Sequence, residues 1–189
     1  MSKTKIKPIQ IIFPVIIILL IAGIFIVKNI DKKEVQNEIS PSLSSHSDGI
    51  DYSYVMTTLS IPTLTSQGKP LLIEFGSEGC EPCRQMEPIL IKLNEEWSGK
   101  ALVKFIDVWK YPEQITSDLP LTLIPTQFFF DKDGNPYTPS EALKSELEKE
   151  SVFFELYKSP ENSEHQYTFH QGTLTEEQLR KIYAEMDVK

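Results

Sequence analysis

The chain has 189 residues, with 27 acidic and 19 basic side chains and a formal net charge of −8 at neutral pH. All the acidic residues follow an apolar amino-terminal segment, so the rest of the chain is strongly negative. This negative charge argues against nucleic acid or anionic lipid headgroups as partners. The roughly 140 residues beyond residue 50 are enough for one domain with one hydrophobic core.

The amino-terminal segment predicts a membrane anchor. Residues 11–27 include no charged side chain, and at about 1.5 Å per residue the run approaches the hydrocarbon thickness of a bilayer. A cleaved signal peptide is the alternative, because three lysines precede the run, but no small-x-small cleavage site follows it. We therefore expect a basic tail at residues 1–8 and a transmembrane helix at residues 9–27. A short tail ahead of a single span usually stays inside, so the rest of the chain is expected to be extracytoplasmic.

The rest of the chain divides into a tether and a folded domain. Residues 28–50 are polar and rich in serine, a composition typical of a flexible linker. Residues 51–189 alternate apolar runs that predict strands with amphipathic runs that predict helices. Predicted strands cover residues 71–75, 102–108, 127–130, 152–157 and 166–170, and predicted helices cover residues 80–97, 111–119, 140–150 and 175–186. This order of elements is typical of an α/β layered fold.

The two cysteines of the chain, Cys80 and Cys83, are separated by two residues. They follow an apolar strand and open a helix, and a thiol at a helix amino terminus is stabilised as the reactive thiolate. Two other roles stay open, a static structural disulfide and half of a metal site. A four-residue ring constrains the unfolded chain very little, and the three histidines lie far from the pair in sequence.

Several motifs around the cysteine pair occur in a recognisable order. They are the strand at 71–75, Cys80-Glu81-Pro82-Cys83, Met86 and Pro88 in the next helix, Ile124-Pro125-Thr126 before a strand, and Gly172 before the last helix. In this order they resemble the thioredoxin superfamily, from about residue 69 to the carboxyl terminus. The resemblance implies a thioredoxin fold, which is a central mixed sheet flanked by helices. Gly79 stands where the family usually has tryptophan, and residues 136–164 form an insertion before the carboxyl-terminal strand and helix.

The resemblance also implies roles for individual residues. Cys80 would be the nucleophile and Cys83 the resolving thiol. Pro125 would be a cis proline facing the dithiol, with the main chain of Ile124 pairing with an extended client segment. Glu74 would be a buried acid that moves the proton of Cys83, with Lys104 as its expected partner. A solvated acid at the sheet edge is the alternative for Glu74.

Glu81 and Pro82, between the cysteines, are expected to tune the redox potential. The carboxylate of Glu81 opposes a neighbouring thiolate, which favours a reducing dithiol, whereas an ordinary solvated Glu81 would have no such role. The same tetrad resembles that of membrane-tethered thioredoxin-like reductases serving extracytoplasmic cytochrome c maturation. The insertion lies in a different place from theirs, so the client does not carry over.

These expectations combine into one functional prediction. The chain would be a membrane-anchored thiol–disulfide oxidoreductase that reduces disulfides of extracytoplasmic proteins, with electrons from an integral-membrane thiol carrier and with no bound cofactor or metal. A disulfide-forming oxidant or isomerase is one alternative, and a non-catalytic thioredoxin-fold module that binds clients is another. Lysine greatly outnumbers arginine, as in AT-rich bacterial genomes.

Overall fold

A computed structural model of the chain describes residues 48–189. Among these residues, no helix combines the length and the apolar character that crossing a membrane requires. The anchor predicted at residues 9–27, and nearly all of the tether predicted at residues 28–50, lie outside the described residues.

Residues 48–189 form a six-stranded sheet with helices packed against it. The strands are β1 (Val55–Met56), β2 (Leu71–Gly76), β3 (Leu102–Asp107), β4 (Thr126–Phe130), β5 (Glu155–Lys158) and β6 (His165–Gln171). The helices are α1 (Ile61–Thr65), α2 (Glu81–Glu96), α3 (Glu141–Lys149) and α4 (Glu176–Ala184), with a 3₁₀ turn at Pro112–Gln114. The strand order is β1-β3-β2-β4-β6-β5, with β1, β3 and β2 parallel and the other pairs antiparallel.

Strand β2 lies at the centre of the sheet, and all six of its residues are buried. Its side chains alternate between two apolar cores, one on each face, as the period of a strand requires. Leu72 contributes to the core beneath α2 and α4, whereas Ile73 and Phe75 contribute to the core on the opposite face. The nearly continuous apolar run that predicted a central strand is therefore explained by burial on both faces.

The two long helices follow their sequence patterns closely. The apolar stripe of α2 is buried and consists of Met86, Leu90 and Leu93, with Trp97 just beyond the helix stacked on Tyr183 of α4 at 4.4 Å between ring centroids. Helix α4 begins at the predicted capping box, in which Thr175 and Gln178 each satisfy a main-chain N–H of the other. Both helices thus place one apolar face against the same side of the sheet.

The insertion at residues 136–164 contains α3 and β5. Helix α3 forms where its composition predicted a helix and buries Leu143 and Leu147 in the core shared with α2 and α4, and Ser140 caps its amino terminus. Strand β5 pairs with β6 and becomes the edge strand on that side of the sheet. The insertion therefore extends the layers of the fold.

The helix predicted at residues 111–119 is wrong, because only the 3₁₀ turn at Pro112–Gln114 forms there. Ile115 already has an extended backbone, with φ of −96° and ψ of 103°. The following threonine, serine and aspartate are poor helix formers whose side chains compete for main-chain hydrogen bonds. So short a segment does not overcome the cost of helix nucleation.

Candidate active site

Cys80 and Cys83 form a disulfide at the amino terminus of α2, with their Cα atoms 5.3 Å apart. Cys80 is the N-cap residue, and its Sγ accepts a hydrogen bond of 3.3 Å from the main-chain N–H of Cys83. The exposed fraction is 9% for Cys80 and 4% for Cys83. Cys80 is therefore the more exposed of the two residues, and in the reduced state the same N–H and the helix dipole would stabilise its thiolate.

The end of β2 positions the disulfide. Gly76 pairs with Asp107 of β3, and a Cβ atom built on Gly76 would lie 3.3 Å from both Cβ and Sγ of Cys83. On the other side, β2 pairs with β4 through Phe75 and Thr126, so the antiparallel register places Pro125 opposite Gly76. The ends of three neighbouring strands thus lie side by side at Gly76, which is next to Cys83.

The Ile124–Pro125 peptide bond is cis. Pro125 O accepts a hydrogen bond of 2.9 Å from the N–H of Gly172, the residue after β6. Within residues 48–189, neither main-chain group of Ile124 forms a hydrogen bond. The backbone of Ile124 is therefore available to pair with an extended polypeptide.

Glu74 lies on β2, two residues before Gly76 and on the same face of the strand. Only 1% of its surface is exposed, so the alternative of a solvated acid at the sheet edge is wrong. Burial raises the pKa of Glu74 from its ordinary 4.5 to about 8, and a hydrogen bond from Gln127 opposes that rise. A carboxyl with this pKa can exchange a proton near neutral pH.

Lys104 is not the partner of Glu74, contrary to the sequence expectation. It pairs in register with Ile73, so its side chain lies on the face of the sheet opposite to Glu74. Its ammonium group donates to the carbonyl oxygens of Asp51 at 2.6 Å and Ser53 at 2.7 Å. Lys104 therefore fastens the start of the domain to β3.

Gln127 of β4 is the partner of Glu74, and sequence reasoning missed it. Its amide nitrogen donates to Glu74 Oε2 at 2.8 Å and to the carbonyl oxygen of Gly172 at 3.0 Å. Gly172 in turn donates to Pro125, so a chain of hydrogen bonds joins the buried acid to the cis proline. The sequence signal that could have identified this partner was Gln127 itself, a polar amide residue in an otherwise aromatic strand.

Replacing Gln127 with leucine is expected to raise the pKa of Glu74 further above its ordinary value, because the ionised carboxylate loses a hydrogen-bond donor. Carbon-13 NMR titration of the glutamate carboxyl groups measures this pKa directly. Gln171→Leu is the matched control, since Gln171 pairs with Thr122 instead. An unchanged pKa in Gln127→Leu would show that the hydrogen bond does not govern the acid.

Glu81 and Pro82 occupy the first two positions of α2. The Glu81 carboxylate forms an ion pair with Arg84, one helical turn on, and both side chains are largely exposed. Arg84 also donates to the carbonyl oxygen of Glu78 at 3.2 Å. The positive charge of Arg84 offsets part of the charge of Glu81, so the effect on the neighbouring thiolate comes from the pair.

Asp107, at the end of β3, is a second residue that sequence reasoning missed. One carboxylate oxygen accepts from the N–H of Glu78 at 3.0 Å, and the other accepts from Trp109 at 2.9 Å and Lys110 at 3.0 Å. Burial raises the pKa of Asp107, but the hydrogen bonds from these N–H groups and from the Ser77 side chain together outweigh it and hold the pKa below its ordinary value. Asp107 therefore joins the turn before Cys80 to the turn after β3.

The indole ring of Trp109 lies on Gly79, the residue directly before Cys80. A Cβ atom built on Gly79 would lie 2.6 Å from the six-membered ring of Trp109, too close for any side chain without movement of the indole. Glycine at residue 79, where the family usually has tryptophan, therefore leaves the space that the indole of Trp109 occupies.

The thioredoxin family model matches residues 61–152, which include the cysteine pair, β2 to β4 and α3. Thioredoxin of Alicyclobacillus acidocaldarius is 36% identical over 85 residues, which cover 42% of this chain and 79% of that protein. The chain belongs to the thioredoxin family. Thioredoxin of Staphylococcus saprophyticus is 32% identical over 84 residues, covering 41% of this chain and 79% of its own. The crystal structure of chloroplastic thioredoxin z matches with 18% identity and a TM-score of 0.44, over 66% of this chain and 84% of that one.

Membership of the thioredoxin family agrees with the geometry of the site. The chain has the thioredoxin fold and is a thiol–disulfide oxidoreductase, with Cys80 and Cys83 as its redox-active pair. Within residues 48–189, no group of three or more histidine, cysteine, aspartate or glutamate side chains is placed to hold a metal ion.

Proposed function

We propose that this protein is a membrane-anchored reductase of disulfide bonds in extracytoplasmic proteins. The observation that carries the proposal is the placement of the Cys80–Cys83 disulfide at the amino terminus of α2 and against Gly76, beside which β4 begins just after the unpaired main chain of Ile124. This arrangement supplies an activated sulfur and a docking edge for an extended client segment together.

The reaction begins with the reduced cysteine pair. The Cys80 thiolate attacks one sulfur of the client disulfide, so a Cys80–client mixed disulfide forms and the other client sulfur leaves as a thiolate. Cys83 then gives its proton to Glu74 and attacks Cys80 Sγ, which releases the second client thiolate and closes the Cys80–Cys83 disulfide. Two electrons pass to the client, and its two thiolates take up protons.

The membrane attachment rests on the charge-free run at residues 11–27. A span at residues 9–27 and a tether at residues 28–50 would hold the domain beside the outer face of the membrane. The oxidised pair would then be reduced again by a dithiol carrier within the same membrane, through the same exchange chemistry in reverse.

The direction of electron flow is tested by the reduction potential of the Cys80–Cys83 pair, measured on the full chain in glutathione buffers. We expect a value nearer to the roughly −270 mV of thioredoxin than to the roughly −120 mV of a strong periplasmic oxidant. Glu81→Gln should move the potential towards positive values and Arg84→Gln towards negative values, because the two charges act on the thiolate with opposite signs. A potential near −120 mV in the unmodified chain would assign it as a disulfide-forming oxidant.

A further inference from the structure

Trp109 is exposed although it lies beside the active site. Its exposed fraction is 64%, the largest among the exposed large hydrophobic side chains of residues 48–189. The other tryptophan of the chain, Trp97, is 2% exposed. Within the described residues no basic group lies over the Trp109 ring, whereas Lys110 lies over Tyr111 and Arg180 over Trp97. The free face of the indole is thus an apolar surface open to solvent.

The main chain beneath this indole is held in place. Asp107 accepts hydrogen bonds from the N–H groups of Trp109 and Lys110, and from Glu78 on the cysteine side. The ring itself rests on Gly79, where any side chain would collide with it. An aromatic group fixed in this way loses little conformational entropy when it binds a partner.

The sheet register places Asp107 and the cis proline on opposite sides of Gly76, at the end of β2. Asp107 pairs with Gly76 on one side of β2, and Pro125 lies opposite Gly76 on the other side. Trp109 follows Asp107 by two residues, and the half-exposed Leu123 precedes Pro125 by two. A polypeptide that pairs with Ile124 and reaches Cys80 thus arrives at the residue next to Gly79, on which the indole lies.

We propose that Trp109 is a specificity-determining residue that binds an apolar client side chain next to the disulfide under attack. This inference rests on the proposed function, because it assumes that polypeptide disulfides are the substrates. The ring packs on Gly79, and Asp107 is the positioning residue that holds the main chain of Trp109. Clients with leucine or another apolar residue beside the cysteine are preferred over clients with a polar residue there.

The test uses the reduced full chain in non-ionic detergent and two cyclic peptide disulfides that differ only in leucine or serine before each cysteine. The unmodified chain should reduce the leucine peptide roughly tenfold faster than the serine peptide. Trp109→Ala should lose this preference while its rate with oxidised glutathione stays within about twofold of the unmodified chain. Gly79→Ala, which displaces the ring, should also weaken the preference. Phe153→Ala, at another exposed aromatic side chain, which lies in the insertion, is the control and should keep the preference.

Three results would overturn the role of Trp109. The first is reduction of the two peptides at equal rates by the unmodified chain, and the second is a preference for the leucine peptide that Trp109→Ala keeps. The third is an equal loss of rate by Trp109→Ala with both peptides and with oxidised glutathione, which would indicate an effect on Cys80. If the unmodified chain reduces none of the disulfides, the proposed function fails, and fluorescence quenching then tests the contact between Trp109 and the leucine side chain. Acrylamide quenching reports on Trp109, since Trp97 is buried. The S-alkylated leucine peptide should shield Trp109 from acrylamide more than the S-alkylated serine peptide does. Equal shielding by the two peptides would reject the contact.

Discussion

Replacing Cys83 with alanine is expected to stop turnover and to leave Cys80 joined to client proteins as mixed disulfides. The first attack needs only Cys80, which is the more exposed of the two cysteines and caps α2 with its sulfur. Release of the client needs a second thiolate at the distance that Cys83 provides. Multiple turnover of a protein disulfide should therefore fall by at least about a hundredfold, while the single-turnover reaction at Cys80 continues.

Non-reducing electrophoresis of membranes that contain Cys83→Ala should show high-mass adducts, and reduction with dithiothreitol should remove them. The variant with both cysteines replaced is the control and should form none. This result separates an oxidoreductase from a module that only binds clients, because such a module would retain its clients without any thiol-dependent bond. Adducts that persist when Cys80 is also replaced would contradict the assignment of Cys80 as nucleophile.

Replacing Glu74 with glutamine is expected to slow the reaction and to stabilise the folded domain. The variant keeps the size of the side chain and a hydrogen-bond acceptor for Gln127, but it cannot take the proton of Cys83. The step that closes the Cys80–Cys83 disulfide should slow by about a hundredfold near pH 7, the usual contribution of a general base. As pH falls below 8, Glu74 is increasingly protonated and less available as a base, so the rates of the two proteins should converge.

The gain in stability follows from the raised pKa of Glu74. Because this pKa is about 8 in the folded chain and 4.5 ordinarily, the contribution of Glu74 to stability is fully present below pH 4.5 and is lost as pH rises to 8. Tyr54 interacts electrostatically with Glu74, but burial, followed by the charge of Glu74, holds the Tyr54 pKa above its ordinary value, so Tyr54 stays neutral throughout. Glutamine removes this loss, so the variant should be more stable by roughly 4 kcal/mol at pH 8.

Urea unfolding of the oxidised proteins at pH 5 and pH 8 measures this difference. The free energies of unfolding of the two proteins should lie close together at pH 5 and separate at pH 8. A Glu74→Gln variant that is less stable at pH 8 would show that the carboxylate is ionised and well satisfied in the folded chain. Unchanged kinetics at neutral pH would remove Glu74 from the proton transfer.

The elements that the sequence predicted well are those with strong local signals. The β2 run, the α2 stripe and the capping box at Thr175 each combine periodicity with a start or stop residue, and each forms as expected. The segment after Tyr111 had only a weak helical composition, and its β-branched and small polar residues favour an irregular path. Local propensity therefore decided the outcome wherever packing did not.

The partners of the site residues required three-dimensional information. Which face Lys104 takes depends on its register with Ile73, and a shift of one residue would have turned it towards Glu74. Gln127 meets Glu74 across an antiparallel pair 53 residues apart in sequence. The packing of Trp109 on Gly79 likewise depends on Asp107, which joins the turn before Cys80 to the turn after β3. The sequence named the reactive residues, whereas strand pairing determined what surrounds them.

The bond between Lys104 and the first residues of the domain has a mechanical consequence. Under the proposed attachment, drag on the domain becomes tension that enters through its amino terminus. The ammonium of Lys104 holds the carbonyl groups of Asp51 and Ser53, and Asn94 holds that of Tyr52 at 3.0 Å. This tension would pass to β3 through Lys104 and to the carboxyl-terminal end of α2 through Asn94, whereas the cysteine pair lies at the amino-terminal end of α2. The disulfide could then be cycled without carrying the load of the membrane.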